Sequence, residues 1–122
     1  MKLANFQSTD TNFGSRHVRT DRDNEYFAFS QVTQKLKNAT KIDDRYAMIE
    51  AVNASSQLWT VIAADLAHEE NSLPPEVKAG LLSLAFFSLK QGRRILLERA
   101  SAEPLIEINI RIMKGLRGDM NS

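Results

Sequence analysis

Proline occurs at only two places in this 122-residue chain, in "HEENSLPPE" (Pro74 and Pro75) and in "SAEP" (Pro104). Inside a helix, proline removes a backbone hydrogen bond and clashes with the preceding turn, but it is tolerated in a first turn. Each site therefore ends one element and starts another. The segments between them repeat their apolar residues at helical spacing, and none alternates as a strand would. The chain is restricted to helices joined by short connections.

The first helix spans about Asp21 to Ala39, with Phe29, Val32 and Leu36 on one stripe. Asp21, Asp23 and Glu25 crowd its first turn, where the helix dipole favours negative charge. The second starts at Asp43 or Asp44, either of which can cap it, and runs to about His68. Its stripe is Ile49, Val52, Ser56, Trp59, Ile62, Ala63 and Leu66, with Trp59 mid-stripe as a core residue. Ala51, Ala54, Ser55 and Ser56 are small enough for another helix to approach closely. The third helix follows the Pro pair to about Arg99, with Val77, Leu81, Leu84, Ser88 and Ile95 aligned. The fourth begins around Pro104 and ends near Gly115–Gly118. Residues 1–19 are polar and aperiodic and read as a flexible leader, and 118–122 as a tail. The predicted architecture is all-α: a four-helix bundle formed by one domain over residues 20–117.

The fourth helix is unusual. Leu105, Ile106, Ile108, Ile110, Ile112, Met113 and Leu116 cover an arc of roughly 200°, about twice what a surface helix needs. Asn109 lies near the middle of that arc, where its amide must find hydrogen-bond partners. Either this helix is the central element of its own bundle, or it borders a groove open to another chain. Phe27, Leu58, Val61 and Phe87 also remain over once each helix has one stripe in the core.

Catalytic chemistry finds no support. The chain has no cysteine, so thiolate catalysis and zinc–sulfur sites are excluded. Its two histidines are His17, in the leader, and His68, whose neighbours Asp65 and Glu69 only faintly resemble half of a di-metal site. His68 is better read as part of a solvated last turn. No nucleophile elbow, P-loop or glycine-rich phosphate cradle occurs, and no catalytic, cofactor or metal-ligating residue is assigned. Sixteen basic against fifteen acidic residues give a net charge of +1 and no demand for a polyanion. The basic cluster "KQGRR" (Lys90–Arg94) reads as a solvated face or the rim of a protein interface. No apolar run suits a secretory signal or a membrane span, so a soluble cytoplasmic protein is expected.

"LWTVIAADLA" (Leu58–Ala67), "NSLP" (Asn71–Pro74) and "EPLIEINIRIMKGL" (Glu103–Leu116) together resemble the FlaF family, alphaproteobacterial regulators of flagellum biosynthesis. The last segment is similar to the family's Ile/Val-Asn-x-x-Ile-x-x-Gly-Leu ending, here Ile108, Asn109, Ile112, Gly115 and Leu116. "RDNEYFAFSQVT" (Arg22–Thr33) is similar to the family's first helix. The chain departs from the family at Asp21, where proline is frequent, and at Ser55–Gln57, where Asn and basic residues are frequent. The resemblance implies a non-enzymatic cytoplasmic protein that binds flagellin as a secretion chaperone and modulates flagellin production with FlbT. On that reading Phe87 and Leu58 anchor a terminal helix of flagellin and Lys90 and Arg94 form a charged rim. The alternative is a translational regulator acting on flagellin mRNA through FlbT without holding flagellin. Direct contact with nucleic acid or with a membrane is not expected.

Overall fold

The computed structural model describes residues 21–117. The expectations for the leader, for His17 and for the tail fall outside them. Among the described residues there are four helices and no strand: α1 (Asp21–Ile42), α2 (Arg45–Ala67), α3 (Pro75–Glu98) and α4 (Glu103–Arg117). No helix there is long and apolar enough to cross a membrane.

The breaks are made locally. Asp43 adopts a left-handed conformation (φ 54°), which Asp tolerates better than most residues, and its N–H donates to the Ala39 carbonyl at 3.0 Å. The first helix thereby gains three residues over its expected end. Asp44 then caps α2, its carboxylate accepting the Tyr46 N–H at 3.2 Å. Pro75 opens α3, and Ser101 accepts the Glu103 N–H at 3.1 Å at the start of α4. At the end of α3, Arg99 is left-handed (φ 56°) and the Arg94 carbonyl accepts the Ala100 N–H.

Around the bundle the order of contact is α3, α2, α1, α4, and the ring closes most loosely between α4 and α3. The core has two parts. Phe29, Val32, Leu58, Trp59, Ile62, Leu66, Ala85 and Leu116 form one; Leu36, Ala39, Ala51, Val52, Ile95, Ala102, Leu105 and Ile106 form the other. Along every helix a buried polar residue lies between them: Thr33, Ser55, Ser88 and Asn109. The α1–α2 and α3–α4 turns line one common cavity, so they share an end of the bundle. Counted from that end, Thr33, Ser55 and Ser88 lie about two and a half to three turns down and Asn109 a little under two. A polar layer thus crosses the middle of the core.

Trp59 and Asn109 are the centre of this layer, and both are fully buried. The Trp59 indole N–H donates to Asn109 Oδ1 at 3.0 Å, and Asn109 Nδ2 donates to Ser55 Oγ at 3.5 Å. These bonds join α4 to α2 across the bundle diagonal. Trp59 also meets Phe29 of α1 edge-on, with ring centroids 5.3 Å apart. Asn109 therefore fixes the position of α4 along the bundle, because a shift by one residue would break its pairing.

Arg45 is a contact that sequence reasoning missed. Its guanidinium donates to the Ile95 carbonyl at 3.2 Å and to the Leu96 carbonyl, near the negative end of α3. Arg45→Met should cost about 1–2 kcal/mol, since a half-buried charged donor is lost from two acceptors. Thermal unfolding followed by circular dichroism should show a midpoint roughly 5–10 °C lower.

Candidate partner-binding face

The placement of side chains on α3 follows from its buried seam. Ala85, Ser88, Gln91, Gly92 and Ile95 face the core. At about 100° per residue, this seam leaves Phe86, Phe87, Lys90, Arg93, Arg94 and Leu97 on the outer half. Phe86 and Phe87 cannot share the seam, and both are exposed, at 61% and 43%.

Three of the four residues expected to meet a partner are thereby available on one helix. Phe87 is accompanied by exposed Lys90 one turn later and exposed Arg94 two turns later. Arg94 already has neighbours: its Nε lies 3.4 Å from Glu98 Oε1, and its Nη1 donates to Gln91 Oε1 at 3.3 Å. Gln91 in turn donates to the Ser101 carbonyl at 2.9 Å, tying α3 to the turn before α4. An exposed i,i+4 pair of this kind contributes roughly 0.3–0.5 kcal/mol, so Arg94 can exchange Glu98 for another carboxylate at little cost.

Leu58 requires correction. It is 8% exposed and belongs to the core cluster around Trp59, so it offers no anchor on the outside of the folded bundle. The reason is the position of α2 between α1 and α3, which widens the arc it must bury beyond one stripe. Phe27 and Val61 remain exposed, at 44% and 47%.

The residues expected as structural are inside or partly inside. Leu116 is buried, Ile112 and Gly115 are half-buried, and Ile112 packs on the Trp59 cluster with Ile108 and Met113. The broad apolar arc of α4 is thus applied to its own bundle, chiefly against α1 and more loosely against α3. It is a flank of the bundle, not its central element. His68 is exposed at the end of α2, where its Nδ1 accepts the Glu70 N–H at 3.1 Å. Among the described residues no three His, Cys, Asp or Glu side chains are grouped as metal ligands would be.

This face presents an exposed aromatic ring beside exposed cations. A family model described as "Flagellar protein FlaF" matches residues 12–116. Comparison with curated proteins and with solved structures finds no match.

Proposed function

We propose, from the premise that this chain belongs to the FlaF family of flagellar proteins, that it is a cytoplasmic secretion chaperone that holds flagellin and adjusts flagellin production with FlbT. The observation that carries this reading is Phe87, a large ring 43% exposed on α3 with Lys90 and Arg94 beside it. An amphipathic helix laid along α3 would cover the ring with its apolar face and meet the cations at its edge. The terminal segments of flagellin are amphipathic helices that pair only in the filament, and before export they need such cover. Near-neutral net charge argues against direct capture of the mRNA, because such binding draws mainly on phosphate neutralisation.

The test compares wild-type and Phe87→Glu baits in cytoplasmic pull-downs read by mass spectrometry. Flagellin should be retained by the wild type and reduced at least about tenfold by the variant, with helix content unchanged. Retention of FlbT without flagellin by the wild type would replace the chaperone reading with that of a translational regulator.

A further inference from the structure

A second line of exposed residues on α3 shares only Lys90 with this reading. Ala79, Ser83, Phe86, Lys90, Arg93 and Leu97 form a line down the outer side of the helix, turned about 100° from Phe87, and all are exposed. Leu97 is 80% exposed and Phe86 61%. The two apolar residues stand three turns apart, roughly 16 Å, with Lys90 and Arg93 between them. No acidic residue lies three or four positions from either cation, since Glu98, the nearest, pairs with Arg94.

The charge pattern selects the occupant. The order apolar, basic, basic, apolar at 86, 90, 93 and 97 reads the same in both directions. Two copies of this chain packed antiparallel through the line would set Lys90 against Arg93 twice, which like charges oppose. A partner with carboxylates in the middle and apolar residues at both ends fits instead. We infer that the outer face of α3 docks an acidic amphipathic helix of another protein, with apolar residues eleven positions apart and Asp or Glu at the fourth and seventh positions between them. This surface shares Lys90 with the Phe87 side but adds Phe86, Arg93 and Leu97, and its acidic partner goes beyond flagellin capture.

The probe is a fluorescent helical peptide with Leu at two positions eleven apart and Glu at the fourth and seventh after the first, compared with a twin carrying Lys in place of Glu. Fluorescence anisotropy with the full chain should show the acidic peptide bound at least about tenfold more tightly than its twin. Phe86→Ser/Leu97→Ser should abolish binding while leaving the unfolding midpoint and flagellin capture unchanged, because both side chains stand in solvent. Lys90→Glu/Arg93→Glu should reverse the preference between the peptides, because both charges that face them change sign. Equal binding of both peptides, or of neither, would overturn the inference. Self-association of the wild type lost in Phe86→Ser/Leu97→Ser, or salt-sensitive binding of a single-stranded RNA lost in Arg93→Glu, would assign the surface to another occupant and overturn it too.

Discussion

Asn109→Leu is expected to lower the thermal midpoint by roughly 10–20 °C, although it puts an apolar side chain of similar size into an apolar surrounding. The Trp59 indole N–H, 3.0 Å from Asn109 Oδ1, would be left in a fully buried site with its acceptor gone. A stranded buried donor costs about 1–3 kcal/mol, and the branched leucine must also repack against Ser55, bringing the total to about 2–4 kcal/mol. A double-mutant cycle separates these effects. Trp59→Phe removes the donor, so Asn109→Leu should cost at least about 1 kcal/mol less in that background than in the wild type. Costs that simply add would mean that the hydrogen bond contributes nothing and that Asn109 acts through shape alone. A rise in the midpoint of the Asn109→Leu single variant would make the polar layer a device for register, retained at the expense of stability.

Much of this bundle was legible because its local and global signals agree. The prolines mark the starts of α3 and α4, Asp44 caps α2, and Phe29, Val32 and Leu36 form the buried stripe of α1 as their spacing requires. Asn109 was legible as a residue in need of partners, since an amide in the middle of an apolar arc has few alternatives. Its partners were not, because Trp59 and Ser55 lie about fifty residues away on the diagonal helix, and no local pattern encodes that pairing. The same limit explains Leu58. One stripe per helix assumes one packed side, whereas α2 touches α1 on one flank and α3 on the other. Val77 fails in the opposite sense: it continues the α3 stripe but is 42% exposed, as the first turn of α3 extends past the packed part of the core. Phe87 was legible as a ring left over once each helix had one stripe in the core, while the greater exposure of Phe86 was not, and the Arg45 contact with α3 has no sequence signature at all.

Gly92 carries the second large effect, and it marks a close approach of α3 to α2. A Cβ built on Gly92 would stand 2.9 Å from Ser56 Oγ and 3.3 Å from Val52 Cγ1. Glycine in a helix interior costs roughly 0.5–1 kcal/mol relative to alanine, so its place in the middle of α3 needs a compensating gain. The gain is close approach to α2, whose small residues Ala51, Ser55 and Ser56 leave room for the opposing backbone. Gly92→Ala should be nearly neutral: better helix propensity is offset by turning the Ser56 hydroxyl aside. Gly92→Val adds two further methyl groups beside Val52 and Ser56, and should cost about 2–3 kcal/mol through overpacking. Its midpoint should fall by roughly 10–20 °C in calorimetry. Ser56→Ala discriminates this account from one based on helix propensity. Removing the hydroxyl should turn Gly92→Ala from neutral to stabilising while rescuing Gly92→Val only in part, since Val52 still blocks the second methyl. If Ser56→Ala leaves both substitutions unchanged, the spacing of α2 and α3 is set elsewhere along the pair and Gly92 is not its contact point.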